Sequence, residues 1–163
     1  MIKIHWQSVL STENAKYMTI NIGNFYTNTP MDRYEYMRMH INEIPPEIIE
    51  EYDLLPKVCD GYVYFRIKKA IYGLKQSGAL AAKMLAKILN KRGYYQAKHT
   101  KGLWLHKTKN ILFTLVVDDF GVKYVRREDA EELVSILEET YPCKCDWSGK
   151  QYIGVHLEWD YKC

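Results

Sequence analysis

Two adjacent acids, Asp118 and Asp119, stand between an apolar run ending at Val117 and another beginning at Phe120. Carboxylate oxygens are the ligands hard divalent cations prefer. Nucleotidyl transfer uses two such cations about 3.5–4 Å apart, which activate the attacking hydroxyl and stabilise the leaving oxygen. A tight hairpin presents adjacent acids beyond the last buried rung of a sheet, where phosphates can reach them. Taken alone, V-V-D-D is more often just a polar turn. A second segment, IYGLKQSG at residues 71–78, directly precedes a helical pattern. It is either a glycine-containing loop with a helix cap, or a loop in which Gln76 touches a nucleotide and Lys75 lies close to phosphate. By itself the plain loop is the simpler account.

The elements that must position these residues follow from periodicity. Residues 16–22, KYMTINI, read as a strand, followed by a turn-rich segment through Asn28, Thr29 and Pro30. A short strand is expected at 34–39. Pro45 and Pro46 open a short helix with Ile48, Ile49 and Tyr52 on its sticky face. Asp60–Gly61 marks a turn, and 62–68 alternates Tyr62, Tyr64, Arg66 and Lys68 against Val63, Phe65 and Ile67. Residues 77–92 are helical, with Ser77 as N-cap and Ala81, Leu85, Ile88 and Leu89 at helical spacing. Strands at 102–106, 111–117 and 120–125 follow, and the last two make a hairpin with both acids at its turn. A second amphipathic helix spans 128–140, and 152–159, YIGVHLEW, reads as a strand. The predicted class is α+β: a mostly antiparallel sheet with helices packed on one face.

Composition narrows the partners less than the motifs do. The apolar share of 47% in a chain of 163 residues supports one domain with a core and excludes disorder. A formal net charge of +3 is compatible with a polyanion but too mild to establish one. Cys143 and Cys145 lack the second pair a zinc site needs. With Cys59 and Cys163 they read as reduced thiols of an intracellular protein. No apolar run is long enough to span a membrane.

In this order, the loop at Tyr72, Gly73, Leu74, Lys75, Gln76 and Ser77 and the hairpin FTLVVDDF at 113–120 resemble reverse transcriptases of copia-type LTR retrotransposons. In that family a Y-G-L-K-Q-S loop opens a helix and a Φ-V-D-D hairpin follows, often with an aromatic where Val116 stands. The terminal YIGVHLEW is similar to the family strand after the palm helix, so the resemblance covers residues 19–159. Upstream, the family pattern resembles D-I/V-x-N/D-A/F-F/Y, and this chain has Asn21-Ile22-Gly23-Asn24-Phe25-Tyr26.

The resemblance implies a single partial reverse transcriptase domain over 1–163, a polymerase palm with part of the fingers and without thumb or RNase H. It implies RNA-directed DNA polymerase chemistry with Mg2+ or Mn2+ held at Asp118 and Asp119. Tyr26 would gate the sugar, and Gln76 and Lys75 would contact the nucleotide. The implied partners are an RNA or DNA template-primer, dNTPs and the other domains of a polyprotein, in the cytoplasm or a virus-like particle. Asn21 departs from the pattern at the first catalytic aspartate. A neutral amide cannot bridge two cations while neutralising their charge, so impaired catalysis is expected. Two further readings stay open. One is a non-catalytic nucleic-acid module using Arg66, Lys68, Lys69 and Lys75 on phosphate and Tyr62 and Tyr64 on bases. The other is a pseudo-domain that packs against a protein.

Overall fold

The computed structural model describes residues 1–161. Strand β1 (Lys16–Ile22) is the organising element, because it is apolar on both faces. Met18, Ile20 and Ile22 point to one side and Tyr17 to the other, all at most 1% exposed. A strand buried on both faces must lie inside a sheet. It does: β4 (Tyr94–Gln96), β5 (Leu103–His106), β6 (Ile111–Val116), β7 (Asp119–Tyr124), β1 and β8 (Cys143–Asp146) form a sheet in the order β4-β5-β6-β7-β1-β8. Every pairing in it is antiparallel.

Two amphipathic helices cover one face. Helix α3 (Ser77–Lys91) contributes Ala81, Leu85 and Leu89, and α4 (Arg127–Glu138) contributes Ala130, Leu133, Ile136 and Leu137. They meet Met18, Ile20, Ile22, Phe113, Phe120 and Val122 in the main core. Each fully buried aliphatic side chain there contributes about 1.5–3 kcal/mol relative to exposure.

Helices do not pack on one face alone. Helix α1 (Ile2–Leu10) lies on the opposite side, where Val9 and Ala15 pack with Tyr17. His5 Nδ1 is 3.2 Å from Thr114 Oγ1 on β6. Lys123 of β7 donates to Thr12 Oγ1 at 2.7 Å and to Ser8 Oγ at 3.4 Å. The odd positions of β7 leave polar and small groups on this face, and Lys123 finds its partners in α1 and the turn that follows it.

A second, smaller unit stands apart from this sheet. Strand β2 (Pro30–His40) pairs antiparallel with β3 (Tyr62–Lys69) and, among the described residues, with no other strand. The short strand expected at 34–39 is thus one end of a longer ribbon. Between its strands come the short helix α2 (Pro46–Glu51) and a separate small core of Ile44, Leu54 and Val63.

Two further expectations change. The strand expected at 152–159 breaks after two residues into a small hairpin, β9 (Gln151–Tyr152) and β10 (Val155–His156). Ile153 and Gly154 both have positive φ, which ends the strand and turns the chain back. Ser77 is the first helical residue, not the cap; Gln76 occupies the cap position without a side-chain bond to the helix end. The Ser77 hydroxyl instead accepts from the Ile71 N–H at 3.2 Å and closes the loop below the helix. Among the described residues no helix is long and apolar enough to cross a membrane.

Candidate functional site

The acidic hairpin forms as the alternation requires, but its turn is offset by one residue. The two-residue connection between β6 and β7 is Val117–Asp118. Asp119 is already the first residue of β7, opposite Val116 on β6 and Asn21 on β1. So the two acids are not both at the turn: one crowns it and the other belongs to the sheet. Val117 holds a φ of 59°, a conformation that costs a β-branched residue energy and that functional turns often retain. The ladder continues past it, with the Ile22 N–H donating to the Asp118 carbonyl at 3.0 Å.

Asn21 and Asp119 are a directly opposed cross-strand pair, so their side chains leave the same face of the sheet. Asn21 Nδ2 donates to Asp119 Oδ1 at 2.8 Å. On the far side of Asn21 the same rung continues to Lys144 of β8. The row Lys144–Asn21–Asp119 thus sets an ammonium, an amide and a carboxylate side by side. Lys144 was not legible in the sequence, because the polar segment CKCD carries no strand pattern of its own.

A cleft of about 480 Å³ opens over this row, lined by Thr19, Asn21, Asp119, Lys144, Tyr152 and Ile153 among others. The β9–β10 hairpin forms one wall. Tyr152 is buried there, its hydroxyl donating to the Thr114 carbonyl at 3.1 Å. Asp146, also on the cleft, organises its own loop rather than facing a ligand. Burial works to raise its carboxyl, but the Ser148 hydroxyl and the N–H groups of Lys150, Ser148 and Gln151 outweigh it and hold the group below the usual aspartate value.

The residues expected to face a nucleotide are divided between surfaces. Tyr26 is half-buried, edge-on to Phe25 at 5.2 Å and to Tyr72 at 4.5 Å between ring centroids. It lines a second cleft with Gly78, Ala82, Leu115 and Val117. The expected loop therefore does reach Tyr26, through Tyr72. Gln76 does not line that cleft: its amide donates to Glu35 Oε1 at 2.8 Å and ties the loop to the β2–β3 ribbon. Lys75 is exposed on the same loop. Asp118 is half-buried at the hairpin tip and lines neither cleft. The expectation that Tyr26, Gln76 and Asp118 share one cleft is thus corrected. Tyr26 adjoins the hairpin at Val117, and Gln76 is turned toward the ribbon by Glu35.

The donor set decides which cations can be held. Asp118 and Asp119 offer two carboxylates, and Asn21 offers an amide whose N–H occupies one Asp119 oxygen. These groups are short of a built metal site: of the two acids only Asp119 opens on the first cleft, and among the described residues no three His, Cys, Asp or Glu side chains gather to hold a metal ion. They do not fit a bridged pair, which needs a further carboxylate where Asn21 stands. Burial pushes the Cys143 thiol up to about 12 and raises Cys145 too, so both stay protonated at neutral pH. Cys59, Cys143 and Cys145 are free thiols, as expected, and Cys163 lies outside the described residues. No protein-family model matches the chain.

Proposed function

We propose that this chain is a palm-type domain of reverse transcriptase descent that has lost efficient two-metal catalysis. The observation that carries the reading is the Asn21–Asp119 rung at the base of the V-V-D-D hairpin. An acidic hairpin, a strand ending beside it, and a Y-G-L-K-Q-S loop reaching the aromatic Tyr26 occur together and in the copia-type order. At the position where that chemistry needs a bridging carboxylate, the chain has an amide.

In this reading the chain's own groups still do part of the work. Mg2+ or Mn2+, when bound at Asp118 and Asp119, supplies positive charge for a phosphate. Lys144 supplies a second positive charge on the same rung. Tyr26 limits the space beside the hairpin where a sugar would lie, and Lys75 extends positive charge along the loop. Without a third carboxylate the attacking hydroxyl and the α-phosphate are not fixed together, and in-line displacement requires both to be held. The protein binds nucleic acid and does not copy it.

The test is primer extension on an RNA or DNA template-primer with dNTPs and either Mg2+ or Mn2+. The natural chain is compared with Asn21→Asp. No extension is expected from the natural chain. Tighter metal binding is expected from the variant, with weak extension appearing only when further polymerase subdomains are added. Efficient synthesis by the natural chain overturns the proposal.

A further inference from the structure

The β2–β3 ribbon has two unlike faces. Glu35, Met37, Met39, Val63, Phe65 and Ile67 alternate onto one, and Met39, Val63 and Phe65 pack in the small core. The other carries Tyr34, Tyr36, Arg38 and His40 on β2 and Tyr62, Tyr64, Arg66 and Lys68 on β3. Tyr36 lies opposite Arg66, Arg38 opposite Tyr64, and His40 opposite Tyr62. The rings and cations interlock diagonally. The Arg38 guanidinium lies 4.8 Å from the Tyr62 ring centroid, and that of Arg66 lies 4.6 Å from Tyr34.

Within residues 34–40 and 62–68 this face carries no carboxylate, and among the described residues neither Arg38 nor Arg66 forms an ion pair. Its aromatics are open to solvent: Tyr36 is 70% exposed, Tyr64 58% and Tyr34 52%. Four tyrosines beside charges of one sign fit a partner that offers both flat rings and negative charge. Guanidinium groups held flat over rings keep their edge N–H donors for phosphate oxygens, while uncovered rings offer π-faces to bases.

We infer that this ribbon face binds single-stranded nucleic acid, with Tyr36 and Tyr64 stacking on unpaired bases and Arg38, Arg66 and Lys68 taking the phosphates. Paired bases hide their faces in the duplex, so the surface discriminates by strandedness rather than sequence. The inference rests on the proposed reading only for the class of partner. It uses none of Asn21, Asp118 or Asp119, and it needs no metal.

Fluorescence anisotropy of the full chain with a labelled mixed-sequence single strand tests it, beside the same sequence as a duplex, with EDTA present. Salt-dependent binding is expected, tighter for the single strand. Tyr36→Ala and Tyr64→Ala should each weaken it about 5- to 150-fold, the range for losing one base stack. Tyr36→Phe and Tyr64→Phe should retain it, because the ring alone stacks. Arg38→Ala with Arg66→Ala should flatten the salt dependence. Both tyrosines are surface residues, and circular dichroism confirms that the variants fold. Absent binding, equal affinity for duplex, or no loss in the Tyr36→Ala, Tyr64→Ala double variant each overturns the inference. Primer extension by the natural chain is run in parallel: the ribbon site stands or falls on the anisotropy with EDTA present, whatever that assay shows.

Discussion

At the residue scale, Asn21 is both the departure from catalytic chemistry and a stabilising contact. Its amide donates to a carboxylate, a bond of the charge-assisted kind. Replacing it by aspartate puts two negative charges on one rung and removes the donor. Without metal, Asn21→Asp should therefore lower stability by about 1–3 kcal/mol. Mn2+ or Mg2+ should restore the loss in the variant while barely moving the natural chain. Thermal melts with EDTA and with each metal read this directly. A variant as stable as the natural chain in EDTA, and unmoved by metal, would mean the side chains do not converge. His5 sets a second residue-level expectation. Burial, helped by Lys123, lowers its imidazole from 6.5 to about 4. Between those values the unfolded chain takes up a proton that the folded chain refuses. Stability from the neutral ring is therefore fully present above about pH 6.5 and is lost as pH falls toward 4, by about 3 kcal/mol. Denaturant melts across this range should show the decline, and His5→Gln should flatten it.

At the element scale, three segments meet over one glycine. A Cβ on Gly121 of β7 would collide with the Tyr17 hydroxyl and come within 3.0 Å of Thr114 Oγ1 and Tyr152 Cζ. That cluster joins β1, β6 and the β9–β10 hairpin on the face that also receives α1. Gly121→Ala should cost about 1–3 kcal/mol by overpacking. It should also loosen the wall of the Asn21 cleft, seen as faster amide exchange at Tyr152 than at Phe113. Equal stability of the variant would show that the cluster relaxes freely. The elements legible in the sequence share one property: a strong apolar period. Strands β1, β3, β6 and β7 and helices α3 and α4 lie within a few residues of their expected bounds. What was not legible lacked that signal. Helix α1, IKIHWQSVL, has no side-chain cap and alternates at its start like a strand. Strand β8 is polar and owes its place to pairing with β1. The pattern 152–159 looked continuous because Ile153 gives no warning that it will adopt positive φ. The site was legible as a set of residue types, and Asn21 beside the acidic hairpin is where its strand led. That Asp119 sits in the sheet while Asp118 turns the corner depends on hairpin register, which alternation alone leaves free by one residue.

At the scale of the whole molecule, the chain has two unequal centres of stability. The six-stranded sheet with α3 and α4 holds the large core, and the β2–β3 ribbon holds only Ile44, Leu54, Val63 and their neighbours. A two-stranded ribbon is marginal on its own, so this one depends on α2 and on its ties to the sheet. One such tie is specific: Gln76, at the start of α3, donates to Glu35 of β2 at 2.8 Å. Truncating a side chain in each core should then give different results. Phe113→Ala removes a ring packed on Tyr94, Trp104 and Phe120, and should cost about 3–5 kcal/mol across the whole chain. Ile44→Ala should instead release the ribbon while β1 and β7 stay protected, because regions with small cores open without global unfolding. Hydrogen exchange resolved along the chain measures both variants. A uniform loss of protection in Ile44→Ala would mean one cooperative unit and would sink this division. The arrangement also bears on binding. A ligand that holds only the closed ribbon adds its binding free energy to that local opening. A single-stranded oligonucleotide should therefore slow exchange at residues 34–40 and 62–68 selectively, and Tyr36→Ala with Tyr64→Ala should abolish that protection while leaving the sheet unchanged.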